Sequence, residues 1–317
     1  MSQSPLPFQS PRRADAAPHR IIAFIGDVHG CVFHVLAALE RLQRERGMRL
    51  EAVIQVGDLG AYRSPAYLAE ADWQIIASSP AQADFFRLLH PSNDVASRVR
   101  HALDQVPPVL FVAGNHEDHE WLDQLHAASG HDSGDNGDNG DSGVAAVDPL
   151  RAFHHVACGR VIEVAGLRTA FLGRIDEPRY MSFDPAAYDH LLQLPAGSID
   201  VLVSHDGPYG MSTFQGQTQG SQQLTDLIEQ LQPRLHVSGH YHHENGPRHY
   251  GATMSYALAQ FVAPVEHPAD RRRDNPDQCV APGSIGLLNV QTMAFEYVRD
   301  TWLSAINAES VHQTYRD

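Results

Sequence analysis

Five short, largely apolar stretches in this chain each stop at a small residue that is followed at once by a carboxylate, an amide or an imidazole. The first, Ile21-Ile22-Ala23-Phe24-Ile25, runs straight into Gly26-Asp27-Val28-His29-Gly30. An unbroken run of this length reads as a buried strand, and the glycines permit a tight turn at its carboxyl end. Asp27 and His29 then sit just past that end, where ligands bind in α/β sheets. Ala52–Val56 leads into Gly57-Asp58-Leu59-Gly60, and Pro108–Ala113 into Gly114-Asn115-His116-Glu117. Ile199–Val203 delivers Ser204-His205-Asp206-Gly207, and Leu235–Ser238 delivers Gly239-His240-Tyr241-His242-His243. The repeated plan points to an α/β fold with its reactive side chains at strand ends.

The intervening stretches fit that plan. Val32, Val35, Leu36, Leu39 and Leu42 repeat with helical period over Cys31–Arg46, and Gly47 closes the helix. A strand, a helix and a strand make a βαβ unit. Pro65 to Gln105 reads as mostly helical, cut by Pro80 and Pro91, and is expected to cap or flank the strand ends without adding chemistry. A short helix is expected from Asp118 to Ala127, and a hairpin over 160–172 turns at Ala165-Gly166. Gln222–Leu231 is helical, and strands are expected around Thr253–Ala257, Ser284–Asn289 and Ala294–Val298. The low-complexity stretch Gly130–Gly143 reads as a flexible surface loop, and 266–278 as a charged loop. Spaced Asp and Asn in 130–143 are similar to calcium loops, but no Glu closes the pattern at EF-hand spacing. One domain, 20–300, is expected between a disordered tail of 1–19 and a C-terminal tail of 301–317.

Charge and cysteine content narrow the setting. Lys and Arg number 23 against 38 Asp and Glu, a formal net charge of −15. Such a surface repels polyanions, so a nucleic-acid partner is not favoured, although bound cations make a site locally positive. Cys31, Cys158 and Cys279 do not form a disulfide framework and point to a reducing compartment. No apolar run approaches the roughly 18 residues of a membrane span, and residues 1–20 carry no apolar leader core. A cytoplasmic location is the expectation.

Asp27, His29, Asp58, Asn115, His116, His205, His240 and His242 thus gather at five strand ends. Carboxylate and amide oxygens with imidazoles form a mixed donor set suited to Mn, Fe or Zn. An Asp whose two oxygens serve different cations is the natural bridge, and two cations about 3.5–4 Å apart clamp a phosphoryl group.

The series GDVHG, GDLG, GNHE, SHDG and GHYHH resembles the five signature blocks of calcineurin-like metallophosphoesterases, over roughly Ile21 to Val298. The resemblance implies a four-layer α/β/β/α sandwich, two mixed β-sheets flanked by helices with the site at the strand ends. It implies that Asp27, His29 and His242 hold one metal ion, that Asp58 bridges, and that Asn115, His205 and His240 complete the second. It also gives catalytic roles to Asp58 and to His116, which would stabilise the phosphoryl charge or protonate the leaving oxygen. A hydroxide bridging two divalent or trivalent ions would attack phosphorus in line, without a phosphoenzyme. The expected substrate is a phosphorylated small molecule, a nucleotide or a phosphoprotein, monoester or diester. The second block reads Gly57-Asp58-Leu59-Gly60-Ala61-Tyr62-Arg63-Ser64, not the GD-x-x-x-RG of the Ser/Thr phosphatases and dinucleoside-tetraphosphate hydrolases. GNHE with GHYHH is also similar to phosphodiesterase-type members, including RNA debranching enzymes, whose first block is commonly altered. A noncatalytic scaffold on the same fold is the alternative. Such members tend to lose ligands or the GNH histidine, and this chain keeps both.

Other candidates have plainer readings beside the functional one. Asp27, Asp58 and Asn115 taken singly are ordinary turn residues. His34, His119, His126, His154, His155, His236, His243 and His249 are expected at the surface or behind the ligands. Asp206 either orients an imidazole or stabilises its own turn. Arg63, Arg174 and Tyr209 are candidates to bind phosphate or frame a substrate, and a helix start at Cys31 could lower its thiol pKa.

Overall fold

The computed structural model describes residues 20–129, 143–177, 182–265 and 275–316. The expected N-terminal tail, nearly all of the 130–143 loop with its calcium-like spacing, and most of the 266–278 loop lie outside the described residues.

β1 (Ile21–Ile25) leads into α1 (Val32–Arg46), which carries Arg44 and Arg46 at its electronegative end and stops at Gly47 with φ 59°. β2 (Leu50–Gln55) follows. The helical segment after it contains α2 (Glu70–Ser78), α3 (Asp84–Leu89) and α4 (Asn93–Leu103), with a 3₁₀ turn at Pro80–Ala83. β3 (Val109–Phe111) and α5 (His119–Ser129) precede two short strands, β4 (Val144–Ala146) and β5 (Phe153–Val156). The expected hairpin appears as β6 (Val161–Val164) and β7 (Leu167–Leu172). α6 (Pro185–Leu192) starts behind Asp184, whose side chain accepts the Ala187 amide at 2.8 Å. β8 (Val201–Ser204), the small hairpin β9 (Ser212–Phe214) and β10 (Gln217–Gln219), α7 (Gln222–Leu231) and β11 (Leu235–Ser238) come next. β12 (Asn245–Tyr250), β13 (Thr253–Ala257), β14 (Ile285–Asn289), β15 (Phe295–Tyr297) and α8 (Ala308–Thr314) complete the chain.

Thirteen of these strands form two large sheets, seven in the order β15-β14-β1-β2-β3-β5-β4 and six in the order β12-β13-β11-β8-β7-β6. Both are mixed. In the first, β1, β2, β3 and β5 run parallel while β14, β15 and β4 run against their neighbours. In the second, β7, β8, β11 and β13 are parallel, with antiparallel β6 and β12 at the edges.

Strand periodicity sorts the side chains into layers. Ile22 and Phe24 of β1 join Phe171, Val203 and Val237 of the second sheet in a core between the sheets. Ala23 and Ile25 turn the other way, toward Val35, Leu36 and Leu39 of α1. On the far side, Ala170, Leu172 and Leu202 pack under Leu191 of α6 and Leu224, Leu227 and Leu231 of α7. The result is the expected α/β/β/α sandwich. Strands covered on both faces need continuous apolar sequence, which is why these runs do not alternate. Among the described residues no helix is long and apolar enough to cross a membrane.

Residues 301–316, set apart from the sequence as a tail, are part of the core. Leu303, Ile306, Val311 and Tyr315 are buried with the α1 residues. The Tyr315 ring stacks on Phe33 at 4.7 Å with 4° between planes, and Arg87 donates to the Tyr315 carbonyl. Three histidines expected at the surface or behind the ligands are interior packing residues instead. His34 and His236 are fully buried and His155 is nearly so. His236 lies in the second sheet between the Ser204 and Ser255 hydroxyls, at 2.7 and 2.6 Å.

Burial, partly offset by the Gln278 backbone, pulls His34 down from 6.5 to about 4. The unfolded chain takes up that proton near the ordinary value, so this contribution to stability is complete above the unfolded pKa and is lost as pH falls toward the folded one. Between about pH 7 and about pH 5 the His34→Leu variant should therefore lose about 2 kcal/mol less than the parent in urea denaturation. Equal losses would show that His34 takes no part in the acid response.

Candidate metal centre

Each reactive side chain stands on a turn that a strand end sets up. Asp27 and His29 follow β1, Asp58 follows β2, Asn115 and His116 follow β3, His205 follows β8, and His240 and His242 follow β11. His29, Asp58, His240 and His242 take positive φ values of 45°, 55°, 67° and 60°, a backbone strain of the kind stored at functional sites. Two glycines are required by close approach. A Cβ on Gly114 would lie 2.2 Å from Asp58 Oδ1, and one on Gly239 would lie 2.2 Å from Asp27 Oδ1. The glycine of one block thus makes room for the carboxylate of another.

Asp27, His29, Asp58 and His242 each offer a donor atom within 4.8 Å of the others. His242 Nε2 lies 3.1 Å from Asp27 Oδ2 and 3.2 Å from His29 Nε2. His29 Nε2 is 3.9 Å from Asp58 Oδ2. On the other side of Asp58, His205 Nε2 is 3.3 Å from the same Oδ2 and 3.1 Å from Asn115 Oδ1. His205 Nδ1 faces the Val56 carbonyl at 3.0 Å, which in the neutral ring would leave Nε2 as the electron-pair donor. The His240 ring packs edge-on against His205 at 5.1 Å, and its amide donates to both Asp27 oxygens at 3.1 Å. Asp58 Oδ2 thus stands between two groups of donors, while Oδ1 accepts the His116 amide at 2.7 Å. Convergence of like ring nitrogens on buried carboxylates fits cations between them, in the mixed donor chemistry that Mn, Fe and Zn accept.

The electrostatics follow from burial. Burial raises the Asp58 carboxyl, but His205, His116 and His29 outweigh it and hold the group well below its usual value. Burial lowers His205, and the Asp58 charge overrides it, raising the ring to about 10. His29, for which burial prevails, falls to about 4. A cation held by Asp58 would neutralise much of the field on His205, so metal uptake here would release protons. Burial and then Asp58 push Glu117 up to about 8. Its carboxyl accepts the Gly114 and Gly60 amides at 2.6 and 3.2 Å and so ties the second block to the third.

His116 lies beside the cluster, its ring edge-on to His29 at 5.2 Å. Its Nδ1 is 3.1 Å from Asp72 Oδ1, on α2. The helical segment between the second and third strands therefore contributes a polar group to the site, against the expectation that it adds no chemistry. No block carried that signal; Asp72 is an acidic residue in the first turn of a helix, where many serve the dipole alone.

The remaining candidates have specific surroundings. Asp206 accepts the Gly207 amide at 2.8 Å and the Tyr241 hydroxyl at 2.7 Å, so it braces its own turn and the ring that packs on His240. Arg63 is engaged by Asp118 at 2.7 Å and Glu120 at 2.9 Å and covers the Tyr67 ring. Arg174 Nη2 is 3.9 Å from Asp123, and Tyr209 is half exposed. Cys31 does stand at the start of α1, but burial and then Asp84 raise its thiol well above the ordinary value, the reverse of an activated cysteine.

A family model for calcineurin-like phosphoesterases matches residues 21–244. A lariat debranching enzyme of Entamoeba histolytica is 23% identical over 286 residues, covering 80% of this chain and 73% of that protein. A solved structure with 12% identity overlays 89% of this chain and 99% of its own with a TM-score of 0.51. A second, from Thermus thermophilus, is 15% identical with a TM-score of 0.45 over 89% of this chain and 99% of that one. The first of these structures shows a shared fold.

Gly114→Ala forces a methyl group onto Asp58 Oδ1. It should lower the bound-metal ratio measured by elemental analysis while the far-ultraviolet circular dichroism stays that of the parent. A full metal complement in that variant would place Asp58 outside the centre.

Proposed function

We propose, for a chain that belongs to the calcineurin-like phosphoesterase family, that it is a dinuclear metal-dependent hydrolase of phosphate esters. The observation that carries the reading is Asp58 Oδ2, which faces His29 and His205 from one buried position between the two donor groups. Asp27, His29 and His242 would hold one ion, Asn115, His205 and His240 the other, and Asp58 both. Bound there, cations of Mn, Fe or Zn supply Lewis acidity to the phosphoryl oxygens and acidify a water.

The chain's own residues do the rest. The His116 and His240 amides fix Asp58 and Asp27, so the carboxylates need not reorganise as charge develops. Val56 fixes the orientation of His205. The His116 imidazole, partly exposed next to the cluster, stabilises the phosphoryl charge or gives a proton to the leaving oxygen. The three free cysteines support a reducing, cytoplasmic setting.

The debranching relative favours a second reading, a phosphodiesterase acting on nucleotides or nucleic acid. The net charge of −15 weighs against a long polyanion and leaves a nucleotide, a small phosphorylated molecule or a phosphoprotein as the leading substrate class. Hydrolysis of p-nitrophenyl phosphate and bis-p-nitrophenyl phosphate in Mn²⁺, side by side, separates monoester from diester chemistry. Asp58→Asn should abolish turnover and reduce metal content. His116→Ala should keep its metals and lose roughly 10²–10⁴ in kcat. Activity that survives removal of all bound metal would refute the proposal, and turnover of neither ester above the Asp58→Asn level would favour the scaffold.

A further inference from the structure

We propose that Asp72 is the positioning residue for His116, supplied by α2 from outside the five sequence blocks. The inference rests on the phosphoesterase reading of the site for its functional meaning, and on geometry for its substance.

The second block, Gly57–Ser64, contains no carboxylate besides Asp58, whose oxygens face the His116 amide and the donor imidazoles. Nothing in that block is left to orient the His116 ring. Asp72 reaches it from α2, with 3.1 Å between Oδ1 and His116 Nδ1. Its other oxygen, Oδ2, accepts the Ala69 amide at 3.2 Å, at the start of the same helix. One carboxylate therefore anchors the first turn of α2 and the edge of an imidazole at once. Both oxygens are engaged, and the Asp72 side chain is only 14% exposed, so its end of the pair is largely withdrawn from water while the His116 ring stays partly open. Leu68 and Ile76 of the same segment line the crevice together with Tyr62, Phe86, His29 and His116.

The chemical consequence is a choice of ring edge. A hydrogen on Nδ1 directed at Asp72 Oδ1 leaves Nε2, on the opposite edge, to meet a phosphoryl or leaving-group oxygen. An imidazole without that partner turns about its side-chain bonds and presents either edge. The hydrogen bonds of the Asp72 carboxylate go to His116 and to the Ala69 amide, not to the donor residues, so its loss should spare the metals.

The test compares Asp72→Ala and Asp72→Asn with the full-length parent, each loaded with the same metal. Substrates are phenyl and p-nitrophenyl esters of whichever class, monoester or diester, the parent cleaves. Phenolate is the poorer leaving group and depends more on a well-placed proton. Asp72→Ala should lower kcat on the phenyl ester roughly 10–100-fold, a part of what general acid catalysis supplies, with KM nearly unchanged. The loss on the p-nitrophenyl ester should be smaller, and Asp72→Asn, which keeps an acceptor for Nδ1–H, should recover part of the rate. Asp72→Ala combined with His116→Ala should be no slower than His116→Ala alone, because the two act as a unit. Equal losses on both esters, or full additivity, would overturn the proposal. A readout independent of turnover is the ¹⁵N–¹H ring correlation of His116 in the zinc-loaded protein. It should show a proton on Nδ1 in the parent and lose that signature in Asp72→Ala. A parent ring without an Nδ1 proton refutes the positioning role. An inactive parent that keeps the Nδ1 signature refutes the phosphoesterase reading alone.

Discussion

Two carboxylates, Asp27 and Asp58, are withdrawn from water almost completely, and a buried charge is stable only when it is paired, hydrogen-bonded or bound to a cation. Much of the site answers that requirement. Backbone amides of His240 and His116 point at the two groups, and imidazoles of His242 and His205 close to 3.1 and 3.3 Å. The strained backbone at His29, Asp58, His240 and His242 is the cost of aiming side chains from three turns at one point. Glu117 shows the same physics with the opposite outcome. Beside Asp58 it is driven toward its neutral form, and it serves by accepting backbone amides instead of offering a charge to the centre.

The parts of this arrangement that could be read from the sequence are those where local chemistry and position coincide. A buried strand is mostly apolar, so β1, β2 and β8 announced themselves, and the ends of these strands and of β11 located Asp27, Asp58, His205 and His240. α7 was legible to the residue, because Leu224, Leu227, Ile228 and Leu231 mark one face and Ser221 caps it at the Leu224 amide. The sandwich itself followed from resemblance, since strand periodicity does not say which sheet a strand joins.

What stayed hidden depends on contacts between distant segments. β12 is an exposed edge strand of polar sequence containing Gly246-Pro247, the reverse of a strand signal. α8 is too short to show a clear apolar face, and its burial is decided by Phe33 and Arg87 far up the chain. His236 and His34 look like surface residues in isolation; the Ser204 and Ser255 hydroxyls satisfy the first, and the layer between α1 and the C-terminal helices encloses the second. Asp72 is the clearest case. Its meaning lies in a ring it meets only after the chain has folded back across the third strand.

The place of β1 in its sheet has a consequence for the order in which the molecule can be made. One neighbour, β2, follows within the same βαβ unit, but the other, β14, arrives from near the end of the chain. The turn that carries Asp27 is tied down by that late sequence as well. Gly26 donates to the Ser284 carbonyl at 2.9 Å, and the Asp27 carbonyl accepts the Phe261 amide at 2.8 Å. Pairings this remote in sequence form slowly, because their loops must close before any contact rewards them. A growing polypeptide on the ribosome can therefore build the parallel half of the first sheet while the turn bearing Asp27 and His29 is still incompletely fixed. That turn takes its final shape only when the last strands have sealed it.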